Sequence, residues 1–439
     1  MTESQVLRRL DYPAYCIKLL DNGLVALAGG GGTAKTGVGN SIELGFLTYS
    51  NNTAEFKQIH QFNSEDAIMK FVSFTQERSN IKKKSKINDL YLAAAVDQTV
   101  EIYKILPHFK KDQKKYEPSA KIKLINKIHL EENVATIQVY TNTHKILLIL
   151  GTSKGSILIY KLVNNEKNNN ISDDMNKINF EKIHQFNEGH SNEIDELQVN
   201  SDGILLSIGK DSKCFLWSLN ENLKKLCEFK YFNFLSVDNL RVKHARFSKD
   251  SKYMYLTYIP RIRGGKTPLN SYIQKWSKVN DASKQEGMNY ALEKTVKIKN
   301  TILTCVQTSK DGCFLSAGDC EGKIYLFDYE LNKLEDFKKQ HSSVITDLCF
   351  CYDEEFDAKN LSKKFDLNKF ILTISIDRTV QMYKFLNTNL TKRFMDRLNW
   401  KLNSNLVNIC TLSISCLKFS LIFLVLCVTI CYFFVHFEK

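Results

Sequence analysis

One short pattern returns seven times along this chain: an apolar strand, a tight turn and a second apolar strand. It reads YLAAAVDQTVEIYKI at Tyr91–Ile105, LLILGTSKGSILIYKL at Leu147–Leu162 and LLSIGKDSKCFLWSL at Leu205–Leu219. It returns as FLSAGDCEGKIYLFDY at Phe314–Tyr329 and ILTISIDRTVQMYKF at Ile371–Phe385. Leu24–Leu47 and Met254–Trp276 carry the same pattern opened by a longer loop. The copies start roughly 50 to 65 residues apart, a period typical of arrays in which each unit buries its faces only against its neighbours. Seven such hairpins suit a closed ring of blades, which leaves few free sheet edges. An all-β, seven-bladed propeller over residues 1–390 is therefore expected.

The fourth copy adds a side-chain signature. His190 precedes its first strand, and Asp202-Gly203 makes the following turn. Ser207, Asp211 and Trp217 then follow at the spacing of a WD40 structural tetrad. The repeat gives each of these residues a structural purpose, so the His/Ser/Asp set is not read as a hydrolytic triad. The other blades are read as having lost the tetrad. The last one keeps His341 and Asp377 but has Tyr383 in place of tryptophan. It also lacks an outer strand after Phe385, and the N-terminal segment Gln5–Leu10 is free to supply one. The Asn-rich stretch 164–179 reads as a disordered surface insertion in the third blade.

The formal charge is +13, with lysine runs at Lys82-Lys83-Lys84 and around Lys110–Lys115. No nucleic-acid-binding signature accompanies that charge, so the lysines read as solvated loops and no nucleic acid partner is expected. Twelve cysteines are present, scattered through strand-like runs and the apolar tail, without CxxC or Cys/His zinc spacing. They read as reduced thiols of a cytosolic domain. Residues Phe419–Phe437 carry no formal charge, and nineteen residues at about 1.5 Å each nearly span a hydrocarbon core of about 30 Å. A single C-terminal transmembrane helix at 419–437 is expected, with a basic juxtamembrane segment at 391–418 and a lumenal stub at 438–439. Lys392, Arg393, Arg397, Lys401 and Lys418 precede the helix, which keeps the propeller on the cytosolic side.

One segment exceeds what a propeller needs. Six of the eleven residues from Gly29 to Gly39 are glycine, within Gly29-Gly30-Gly31-Gly32-Thr33-Ala34-Lys35-Thr36-Gly37-Val38-Gly39-Asn40. A phosphate-binding P-loop is excluded on two counts. Ala34 stands where glycine is required, and Ser41–Leu47 alternates like a strand, so no helix N-terminus faces a phosphate. Consecutive glycines do let backbone carbonyls converge, and such oxygens suit a weakly hydrated cation.

Together, Tyr12-Pro13-Ala14-Tyr15, Val25–Gly32 and Thr36-Gly37-Val38-Gly39-Asn40 resemble the start of the endoplasmic-reticulum membrane exchange factors for the Sar-type GTPase, whose animal members are called prolactin regulatory element-binding protein. The resemblance implies a guanine-nucleotide exchange factor that loads this small GTPase with GTP, initiating COPII assembly, with no covalent chemistry and no small-molecule substrate. It implies that the loop holds a potassium ion shaped by Gly29, Gly30, Gly31, Gly32 and Thr33. Asn40 would be the critical polar contact, predicted to be exposed, and Val38 an apolar wedge beside it. The alternative is a membrane-tethered WD40 scaffold without exchange activity. The long loop of the fifth repeat, Arg261–Lys266, reads either as a solvated connection or as a second contact with the GTPase.

Overall fold

The computed structural model describes residues 4–20, 23–33, 37–50, 53–80, 85–110, 117–163, 178–220, 223–229, 240–261, 269–279, 290–337, 341–352 and 369–385. Within them the chain forms seven four-stranded antiparallel sheets, one per repeat. The expected ring of blades is present. The expected helix at 419–437, the juxtamembrane segment, residues 262–266 and residues 164–177 of the Asn-rich stretch lie outside the described residues. The last two residues of that stretch are not an insertion. Ile178 is buried and Asn179 opens the outer strand Asn179–Phe186 of blade 3.

Blade 1 runs outward as Ala14–Leu19, Leu24–Gly29, Ser41–Ser50 and Thr53–Asn63. The remaining inner strands are Lys70–Asn80, Val134–Thr141, Ile194–Val199, Leu240–Phe247, Leu303–Thr308 and Ile345–Tyr352. Each sheet is apolar on both faces because both are covered by neighbouring blades. The core is accordingly divided into inter-blade clusters. One unites Ile17, Leu27 and Leu47 of blade 1 with Phe370, Leu372 and Met382 of blade 7. At about 25 cal/mol per Å² of apolar surface removed from water, such clusters are the main force holding the ring.

Blade 7 is completed from the opposite end of the chain. Ser4–Arg9 pairs antiparallel with Thr379–Phe385, in the register Ser4 to Tyr383 and Arg9 to Thr379. Side chains reinforce the seam. Thr346 donates to the Ala14 carbonyl at 2.6 Å, and Asp347 accepts the Ile17 amide at 3.1 Å. The full tetrad of blade 4 is built as its spacing suggests. His190 contacts Ser207 through Nε2 at 2.8 Å and Asp211 through Nδ1 at 3.1 Å, while Trp217 Nε1 donates to Ser207 at 2.8 Å.

Blade 7 keeps one more member of this set than the His341 and Asp377 expected. In blade 7, His341 contacts Asp377 at 3.1 Å and Thr373 at 2.7 Å. Thr373 supplies the hydroxyl that Ser207 supplies in blade 4, and Tyr383, standing where blade 4 has tryptophan, bonds Thr373 and donates its Oη to Gln381 at 2.9 Å. A threonine at that place was invisible to a search for serine. Among the described residues all eight cysteines are free thiols.

Candidate functional site

The glycine segment joins the second and third strands of blade 1. Gly29 pairs with Ser41, so residues 30–40 form an eleven-residue excursion between them. Strand polarity puts this connection at the ring end that also carries the blade-to-blade loops, here Leu10–Pro13 and Ser64–Met69. Residues 34–36 of the excursion lie outside the described residues.

Its two ends are tied down by backbone. Gly30 N donates to Pro13 O at 3.0 Å, and Ser64 N donates to Asn40 O at 3.0 Å. A Cβ on Gly29 would lie 2.1 Å from Pro13 O, and one on Gly30, at φ +149°, would lie 2.1 Å from Asn40 Oδ1. No L side chain fits either place without moving the backbone. The glycines of this stem are thus required by close approach, not only by looseness.

Asn40 braces the excursion from within. Its Oδ1 accepts Gly32 N at 2.9 Å, and its Nδ2 donates to Gly32 O at 3.2 Å and to Glu65 O at 3.3 Å. The side chain is half-buried, which differs from the exposed polar contact expected. Val38 is also half-buried and rests against the blade 7–blade 1 cluster of Leu27, Leu47 and Phe370. Thr33 is exposed, and Gly31 and Gly32 are half-buried. Asn40, Val38 and the glycine run are therefore brought together, as one folded loop fastened to its stem.

Beneath it, Arg8 of the closing strand meets Glu43 at 3.1 Å. Burial pushes the Glu43 carboxyl up to about 7, outweighing the guanidinium, which pulls it down. The loops of blades 1 and 2 at this end carry several acids although the chain is basic, and one of them, Glu65, is paired with Lys127 at 2.9 Å. Asp11, Glu65, Asp97 and Glu131 are exposed in loops at this end, and Asp66 stands beside Gly32. Met69 is 52% exposed among them, an apolar side chain with no core to join. Pro13, Glu65 and Asp66 were not predicted as site residues, since they reach the loop only once neighbouring blades pack together. Among the described residues no group of three His, Cys, Asp or Glu side chains could hold a metal.

No protein-family model matches the chain. The protein of Mus musculus named guanine nucleotide-exchange factor SEC12 is 22% identical over 415 residues, covering 86% of this chain and 89% of that protein. Its Rattus norvegicus counterpart is 21% identical over the same coverage. Over most of its length the chain is thus similar to the SEC12 exchange factors. That likeness supports a guanine-nucleotide exchange role in general terms. A crystal structure of Chaetomium thermophilum Sqt1 bound to the N-terminus of the ribosomal protein L10 superposes with a TM-score of 0.52 at 12% identity, covering 85% of this chain and 97% of that one. That likeness concerns the propeller fold alone. Among the described residues the braced excursion of blade 1 is a part of the ring that generic propeller packing leaves unexplained.

Proposed function

We propose that this protein loads a Sar-type small GTPase with GTP at the endoplasmic reticulum membrane, the step that initiates COPII assembly and ER-to-Golgi transport. Residues 419–437 serve as its membrane anchor. The observation that carries this reading is the Asn40 brace, which spans the excursion and fixes the shape of a loop that six glycines would otherwise leave loose. A partner that speeds nucleotide release must bind the nucleotide-free GTPase better than the loaded one. A pre-shaped loop does so at lower ordering cost than a floppy one. Asn40 then acts chiefly by holding the loop, and Val38 by fastening it to the core.

Potassium fits this loop as a further brace. Gly30, Gly32 and Gly37 have positive φ, which turns neighbouring carbonyls out of the sheet direction, and the Asp66 carboxylate lies beside Gly32. The carbonyls of Gly30, Gly31 and Gly32 with Thr33 would hold the ion. Gly29 is committed to the strand pair with Ser41 and contributes only by anchoring. When bound, the cation offsets the repulsion of converging carbonyl dipoles. The acids of these loops and the exposed Met69 suit a partner surface that is basic with an apolar spot.

The test is release of a fluorescent GDP analogue from Sar-type GTPase on liposomes carrying the full-length protein. Exchange activity predicts release at least tenfold above the spontaneous rate, and faster in potassium than in lithium buffer. An unchanged rate would make the protein a membrane-tethered scaffold instead.

A further inference from the structure

The excursion of blade 1 is held on two flanks that differ in kind. Toward the closing strand the tie is main chain, Gly30 N to Pro13 O. Toward blade 2 it runs through the connection that leaves blade 1. There Ser64 N donates to Asn40 O at 3.0 Å, and Asn40 Nδ2 donates to Glu65 O at 3.3 Å. Whatever fixes Ser64 and Glu65 therefore helps to fix the loop. The Glu65 carboxylate is 82% exposed, yet it is not free: it meets Lys127 Nζ at 2.9 Å.

Lys127 is itself anchored. It stands directly across from Glu101 on the paired third and outer strands of blade 2, Thr99–Lys110 and Glu117–His129, and the two side chains meet at 2.8 Å. Glu101 is 2% exposed and also accepts the Tyr103 hydroxyl. The Tyr103 ring packs edge-on against Phe62 of blade 1, with centroids 5.3 Å apart. A carboxylate buried this deeply holds its cation firmly, because leaving it unpaired is costly. The ammonium has three protons to donate, so a contact with Glu101 leaves others for Glu65. Hydrogen bonds to Glu101 and then to Glu65 raise the Lys127 pKa, which keeps the side chain charged at neutral pH. An ordinary surface pair contributes little, because two long side chains must be ordered at once. Here Glu101 has already placed the lysine, and only Glu65 remains to be ordered.

We propose that Lys127 is a positioning residue of the exchange loop. It carries the Glu101 anchor of blade 2 to Glu65, and Glu65 presents its carbonyl to Asn40, which grips Gly32. Blade 2 thereby becomes part of the device that shapes a loop belonging to blade 1. The effect of Lys127 on nucleotide release rests on the exchange activity proposed above, whereas its effect on the shape of the loop does not.

Hydrogen exchange of the full-length protein in mild detergent, followed by mass spectrometry, reads the loop directly, because the Gly32 and Ser64 amides are both bonded to Asn40. Lys127→Met and Glu65→Gln are each expected to speed exchange in the peptides carrying these amides about threefold, and to slow catalysed GDP release by a similar factor. The double variant should do no more than either single one, since both break the same tie. Lys127→Arg should restore protection and release to within about twofold of wild type. Unchanged protection in Glu65→Gln overturns the proposal even if Lys127→Met fails to fold, because the substituted side chain is exposed. So does GDP release that falls in Glu65→Gln but holds or rises in folded Lys127→Met, because Glu65 would then touch the GTPase itself. Loop protection that depends on Lys127 in a wild type that releases no GDP upholds the tie and sinks the exchange reading instead.

Discussion

Blades 1 and 4 solve the same local problem by opposite means. Each must fasten the connection between its second and third strands to the loop that enters the blade. In blade 4 that connection is a tight turn after Gly209, and side chains hold it: His190 from the entering loop grips Asp211 and Ser207. In blade 1 the connection is eleven residues long, and backbone holds its stem through Gly30 N to Pro13 O. Gly209 and Gly29 occupy equivalent places, paired with Ile194 and Ala14 of their inner strands. A Cβ on Gly209 would meet His190 Nδ1 at 2.4 Å, whereas one on Gly29 would meet Pro13 O at 2.1 Å. The same glycine thus admits a tetrad histidine in one blade and a main-chain clamp in the other. Giving up the tetrad frees the turn to lengthen, and the burden of shaping it passes to Asn40.

This contrast can be broken most severely at Gly30. Gly30→Ala forces a methyl group into Asn40 and should cut nucleotide release about 100-fold, measured by fluorescence, while the other six blades keep the protein folded by circular dichroism. Asn40→Ala should reduce release at least tenfold. It should also cost about 1 kcal/mol in a chemical melt, because three hydrogen bonds are lost from a half-buried site. A large loss of stability with unchanged exchange would mean that the side chain serves the fold alone.

Ser207→Ala reverses the pattern. It leaves His190 and Trp217 without their shared oxygen and should destabilise by about 2 kcal/mol while exchange stays within twofold of wild type. Loss of exchange in that variant would join what the comparison separates.

The smallest effect concerns pH at the seam. Burial raises the Asp347 carboxyl from 3.8 to about 6, so this group favours the folded state fully below about pH 3.8, and that contribution is lost as pH rises through about 6. His190 and His341 act in the opposite sense. Burial lowers both below 6.5, so their contribution is present above that value and fades as pH falls through the lowered pKa. Asp347→Asn should flatten the loss between pH 4 and 6 by about 1–2 kcal/mol in urea titrations while the acid limb set by the histidines remains. An unchanged pH profile would place the source elsewhere.

The ring was legible because its information is local and repeated. Each hairpin carries its own alternation, and blade 4 carries the whole tetrad within 28 residues, from His190 to Trp217. The closing strand was legible by elimination, since one blade lacked a fourth strand and one N-terminal segment lacked a partner. The site was read less completely. The glycine run announces an unusual loop, but nothing in the sequence marks Asn40 as half-buried, because its partners, Gly32 and Glu65, meet it only through folding. The acids at this end were masked by a chain whose total charge is +13, since they come from loops separated by up to 120 residues, from Asp11 to Glu131. The blade 7 variant is only partly legible, in His341 and Asp377, because threonine there performs the task of serine.

The pairing of Ser4–Arg9 with Thr379–Phe385 also sets a clock. A ribosome must emit nearly the whole propeller before the strand it made first can find its mate, so a growing chain carries an unsatisfied edge for most of its synthesis. Val38 rests on the cluster that is complete only at that moment, because Phe370, Leu372 and Met382 come from the last blade. The loop therefore gains its final support only when the circle shuts, which ties competence to completion: a truncated or stalled product would be born without it.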